Sequence, residues 1–166
     1  MPATPNLALP YPSASDTADV PRDIQALATR LDSLAEVGYW EITANPAAIT
    51  ATSEATAVTI IPGASVTYDG KPVLVEFQTP HAFCGAASSY LFLSLFDGAA
   101  VVARIGASQQ PTAAPLRSTL RITPTAAAHT YNIRAHVSAG SGTIFAGAGG
   151  AGGYSAAFLR ITRAQS

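Results

Sequence analysis

The sequence predicts a mainly β protein: an antiparallel β-sandwich preceded by an extended arm and one short amphipathic helix. Three observations carry that prediction. The first twelve residues hold four prolines. Residues 20–34 repeat apolar side chains at spacings of 4, 3, 4 and 3. From Tyr39 onward, short runs of β-branched and aromatic residues are punctuated by Pro-Gly and Asp-Gly pairs. This divides the chain into an arm (1–18), a helix (19–37) and a sandwich (38–166).

In the arm, Pro2, Pro5, Pro10 and Pro12 remove amide donors and bias their neighbours toward extended backbone. Leu7, Leu9 and Tyr11 lie between them and cannot be buried by the arm alone. Such a segment is a loose tail or an arm that orders on a larger assembly. Its apolar residues favour the arm, because disordered tails are more polar. Leu7, Leu9, Pro10, Tyr11 and Pro12 are then the docking candidates.

For the helix, Asp19 can cap, Pro21 suits the first turn and Asp23 sits at the positive end of the dipole. Gly38 reads as the stop. Val20, Ile24, Leu27, Leu31 and Leu34 form a narrow seam of the coiled-coil kind, with Ile24 and Leu31 at a and Leu27 and Leu34 at d. The alternative is a helix packed on its own domain. Two heptads alone are too short to be stable in water, so an oligomeric bundle would need help from the sandwich.

For the sandwich, strands are expected at Ala57–Ile61, Ser65–Tyr68, Val73–Phe77, Tyr90–Phe96, Ala99–Ile105, Leu116–Thr123, Tyr131–Val137, Thr143–Ala146 and Phe158–Thr162. Asp69-Gly70 and Asp97-Gly98 read as hairpin signals. Leu116, Ser118, Leu120 and Ile122 alternate with Arg117, Thr119, Arg121 and Thr123, as in a sheet with one wet face. Eight to ten short strands without a repeat period suit a sandwich rather than a solenoid.

Composition narrows function. Of 166 residues 48% are hydrophobic and only 11% charged, against about 25% charged in ordinary domains. There are 34 alanines, 17 threonines and 14 serines, and the net charge is −1. That argues against disorder and, for want of a basic excess, against nucleic-acid binding. The lone cysteine, Cys84, excludes an intrachain disulfide. No apolar run approaches the ~18 residues of a membrane helix, and no secretory signal is expected. The charges are unevenly placed: residues 1–97 sum to −7 and residues 98–166, with six arginines and no acid, to +6. Either the fold interleaves the halves, or the subunit is a dipole that docks on a charged partner.

No motif calls for catalysis or a cofactor. Gly147 to Gly152 fits GxGxxG, but no helix and no later acid follow it, so a tightly turning loop is expected. His81 and Cys84 lack the further ligands a metal site needs. Glu41, Glu54 and Glu76 have no sequence reason to meet as paired carboxylates, and Asp69 and Asp97 are explained as turn residues. Tyr39 and Trp40 read as packing at the helix–sandwich junction. Tyr154, beside the glycine loop, is the candidate exposed contact of the knob.

Thr4-Pro5-Asn6-Leu7-Ala8-Leu9-Pro10-Tyr11-Pro12, with Asp16 and Asp19-Val20-Pro21-Arg22-Asp23-Ile24-Gln25-Ala26-Leu27-Ala28, resembles an N-terminal module of structural proteins in tailed phages of actinobacteria. These are head-decoration, head-fibre or minor tail proteins. More loosely, Tyr131-Asn132-Ile133-Arg134-Ala135 and Phe158-Leu159-Arg160-Ile161 resemble strands of their jelly-roll, C1q/TNF-like knobs. The resemblance implies a homotrimer on the virion surface. The arm would engage a major capsid protein or a tail protein, and the knob, in the tail alternative, a host-surface glycan. It implies no enzyme activity, cofactor, nucleic acid or membrane.

Overall fold

The computed structural model describes residues 20–32, 36–109 and 113–164. The arm residues Leu7, Leu9, Pro10, Tyr11 and Pro12, together with Leu34, lie outside them, as do the side chains of Val20 and Leu31. Helix α1 spans Val20–Asp32. Eleven strands follow: β1 (Glu36–Ile42), β2 (Val58–Ile61), β3 (Val66–Thr67), β4 (Val73–Cys84), β5 (Tyr90–Asp97), β6 (Ala100–Gln109), β7 (Ala114–Ile122), β8 (Ala128–His129), β9 (Tyr131–Val137), β10 (Gly142–Phe145) and β11 (Ala157–Arg163).

Two antiparallel sheets face each other. The first runs β1-β11-β4-β7, and β10 extends the β11 side along the second half of the long β4. The second runs β2-β9-β5-β6. Strands early and late in the chain are paired throughout, β1 with β11 and β2 with β9. This nested pairing is that of a jelly-roll-like sandwich, which closes two sheets over one core. The core is aliphatic: Val75, Phe77, Leu91, Leu93, Leu95, Ile133, Ile144, Leu159 and Ile161 are all buried. Each of these stands at alternate positions of its strand, so the period of two puts one face of every strand inward.

Two local expectations differ from the structure. Gly38 does not stop the helix, which ends at Asp32; it lies in β1. A Cβ there would stand 2.2 Å from the Trp40 ring, so the missing side chain makes room for the indole. Trp40 packs on the core, as a junction plug should, while Tyr39 points to the opposite face and stacks on Phe158 at 5.5 Å. Asp69-Gly70 does not close a hairpin, because β3 pairs with β8 and β4 with other strands. Asp97-Gly98 does, joining β5 to β6 with Gly98 at φ +55°.

Candidate functional site

The sandwich has two unlike ends. The chain enters from α1 at the end where Glu36 pairs with Thr162 and Arg163 with Val73. Here the connections are held by ions. Arg163 Nη1 donates to Asp69 Oδ1 at 2.5 Å, and the Lys71 amide donates to the same oxygen at 3.1 Å. Asp97 Oδ1 accepts the Thr130 amide, and its Oδ2 lies 2.5 Å from His129 Nδ1. Arg134 and Asn132 both donate to the Gly98 carbonyl.

His129, between Asp97 and Thr125, has the outline of an acid–base–hydroxyl triad. Its partners suit another role. Nε2 lies 3.0 Å from Thr125 Oγ1 and also 3.2 Å from the Thr125 carbonyl, which accepts only. Nδ1 faces a carboxylate. Each nitrogen thus has an acceptor within reach, an arrangement that suits the protonated ring. The hydrogen bond that His129 donates to Asp97 leads in raising the His129 pKa, opposed by burial. Tyr131 stacks on the ring at 5.7 Å and Tyr68 meets it edge-on. Burial holds the Tyr68 phenol up to about 12, and its hydroxyl has no hydrogen-bond partner. This cluster locks a turn.

Further along, charges lie on the two outer faces. On the first sheet Glu76, buried to 8% exposure, sits between Arg160 and Arg117, the latter at 2.6 Å. Burial pushes the Glu76 pKa up, but the two guanidiniums outweigh it and hold it low. On the second sheet Arg104 lies 4.4 Å over the Phe92 ring and 3.6 Å from Glu54, which also accepts from Ser94 Oγ at 2.7 Å. Arg134 lies over Phe96. Four of the six late arginines thus meet acids of the early half: Arg104, Arg117, Arg160 and Arg163. Among the described residues the charges of the two halves interleave, and the arginines are spread over both faces and one end rather than gathered on one.

Among the described residues, the other end carries no Asp, Glu, Lys or Arg. Across the first sheet, Glu41, Phe158, Gln78 and Arg117 form one cross-strand row, and beyond it the strands and loops are neutral. Segments 42–53, 77–96, 105–116 and 135–159 contain no Asp, Glu, Lys or Arg. At this end His81 and Phe145 face each other across β4 and β10, and Tyr154 packs on both, at 5.3 Å from His81 and 5.2 Å from Phe145. Tyr154 is 41% exposed. The GxGxxG stretch is the hairpin loop that positions it. The Gly147 amide donates to the Ser155 carbonyl and the Gly149 amide to the Tyr154 carbonyl. A Cβ on Gly147 would lie 2.4 Å from that Tyr154 oxygen, so the close approach requires glycine.

Of the predicted seam, Ile24 is 62% exposed and Leu27 half-buried, and among the described residues no strand packs extensively along α1. Cys84 is buried, with Sγ 2.9 Å from Ser89 Oγ. Among the described residues no three His, Cys, Asp or Glu side chains gather as a metal would need. No described helix is long and apolar enough to cross a membrane.

No family model matches this chain, and no curated protein matches it. Among solved structures, it is similar to a carbohydrate-binding module (CBM6cm-2) of lichenase 5A from Cellvibrio mixtus, in complex with cellotriose. The identity is 15% over 79% of this chain and 100% of that chain, with a TM-score of 0.31.

Sequence reasoning missed both side-chain clusters. Asp97 and His129 are 32 residues apart, and His81 and Tyr154 come from β4 and the loop after β10. No local signal joins them; only the strand order does.

Proposed function

We propose that this chain is a non-enzymatic structural protein of a tailed-phage virion: a trimeric capsid decoration protein that docks by its N-terminal arm and projects the sandwich as a knob. The observation that carries the reading is the state of α1. It leads into the ionic end of the sandwich, no strand packs extensively along it among the described residues, and Ile24 is 62% exposed in the single chain. An amphipathic helix of 13 residues is marginal alone, so its apolar seam calls for a partner, and copies of the same helix are the simplest one. The resemblance at residues 4–28 supports a virion setting. His129, with an acceptor within reach of each ring nitrogen, is read as holding a turn rather than as a general base.

Deleting residues 1–18 should give a folded trimer that no longer attaches to particles. Attachment without the arm would refute the docking role. Ile24→Asp with Leu27→Asp should reduce the mass in light scattering from three chains to one; an unchanged mass would remove the seam. A second reading, a minor tail or tail-fibre protein with a glycan-binding knob, is favoured by the uncharged end bearing Tyr154.

A further inference from the structure

We infer that the uncharged end of the sandwich is a binding surface for a neutral polysaccharide, with Tyr154 as its stacking residue and His81, Thr143 and Asn45 as hydrogen-bonding neighbours. The inference rests on reading the sandwich as a knob held at its opposite, helix-bearing end.

Charge selects the class of ligand. Domain surfaces ordinarily carry about 25–35% Asp, Glu, Lys and Arg. Here the described residues of four segments that reach one end carry none. An anionic polysaccharide or a nucleic acid would bring charges that nothing there neutralises. Burial, and then Arg104, lower the pKa of His136, the other histidine of these segments. A protein partner of ordinary affinity needs roughly 800 Å² per side around an apolar centre. This end offers instead two small, separate aromatic pads among Ser, Thr, Ala and Gly: Tyr154 on His81 and Phe145, and Tyr90 on Phe92. A second copy joined through α1 would be fixed at the far side of the molecule.

The geometry suits a pyranose ring. Tyr154 is an amphipathic ring with a polar tip, laid against the His81–Phe145 pair and fixed by its backbone bond to Gly149. It therefore gives up little freedom on binding, which is where preorganised sites gain affinity. Asn45, exposed at the base of the same loop, accepts the Ala146 amide at 2.8 Å through Oδ1. That leaves its amide nitrogen to donate. Thr143 lies beside Phe145 on β10. All these groups pair with hydroxyls and none demands a counter-charge.

The test is affinity electrophoresis of the full chain through gels containing dextran, galactomannan, arabinogalactan or xylan, with alginate and heparin as anionic controls. Retardation by at least one neutral polymer is expected, unchanged between about 0.05 and 0.5 M salt because no ion pair is involved. Tyr154→Ala should weaken it at least about tenfold, and Tyr154→Phe much less. Ala151→Asp, on an exposed loop position, should weaken it without touching the core. Retardation by no neutral polymer would overturn the inference, as would binding that salt abolishes or a Tyr154→Ala protein that binds as wild type. A change in oligomer mass on Tyr154→Ala would also overturn it, by assigning the pad to a subunit contact. None of these outcomes bears on particle attachment, which the arm deletion reads separately.

Discussion

The two ends of the sandwich are built from different interactions. At the helix-bearing end, ionised side chains hold the connections: Asp97 with His129, Asp69 with Arg163, Arg134 on the Gly98 carbonyl. At the other end, backbone contacts do so: the Gly85 amide on the Ser141 carbonyl at 2.8 Å, the Ile49–Gly142 pair, and the Val137 amide on the Ala51 carbonyl. The lesson concerns where a chain with few charges places them. Loops can be fixed by ions, or by chains so bare that their backbones meet. The first ties the loops to ionised side chains; the second ties them through the backbone.

That contrast can be broken most strongly through the core of the uncharged end. Ile144→Ala should cost about 3 kcal/mol, from lost burial and the cavity left behind, measured by urea unfolding. The cost should be the same at pH 5 and pH 8. A pH-dependent cost would mean the uncharged end is coupled to the ionic one.

Glu76→Gln comes next, at about 1–2 kcal/mol near neutrality. Removing the buried carboxylate leaves Arg160 and Arg117 facing each other, and their partial exposure tempers the loss. The folded pKa of Glu76 lies below its ordinary value. Its stabilisation is therefore complete above the unfolded pKa, near 4.5, and disappears as pH falls through the lower folded value. The wild-type and variant curves should converge in acid. Parallel curves would show that the charge is not what stabilises this row.

Asp97→Asn should cost about 1 kcal/mol at pH 6. The sign is opposite to that of Glu76. The folded pKa of His129 is raised, so its contribution is complete below the unfolded value of 6.5 and is lost as pH rises through the folded one. The difference between wild type and Asp97→Asn should shrink at alkaline pH, with amide exchange at Gly98 and Thr130 reporting the loosened turn. A constant difference would refute the imidazolium. Smallest of all, Lys71→Ala should leave the melting temperature unchanged, since its 3.8 Å contact to Asp69 is a surface pair.

Much of the fold is legible because periodicity is local. The alternation of Leu116 to Ile122 with Arg117 and Arg121 puts one face of β7 inward and the other in water, as observed. β9 shows where this fails. Its alternation predicts one wet face, yet Asn132 and His136 are buried along with Ile133 and Ala135. β9 is an inner strand of its sheet, and Phe92 packs against His136 on the outer face. Asp69-Gly70 likewise carries a hairpin signal that the sheet order overrides. A turn residue fixes the local bend, not the strand that lies beside it.

What the sequence determined by itself was the element types, the inward set of side chains and the position of the glycine loop, because each follows from neighbours within a few residues. The uncharged segments were equally visible in it. That they converge on one end was not. Convergence depends on which strand ends lie together, and that is decided by the nested pairing of β1 with β11, β4 with β10 and β9 with β2 and β5. The same pairing brought Asp97 to His129, Glu76 to two arginines and Tyr154 to His81. Contacts between residues far apart in the chain are set by packing the two sheets over one core, and no local preference encodes them.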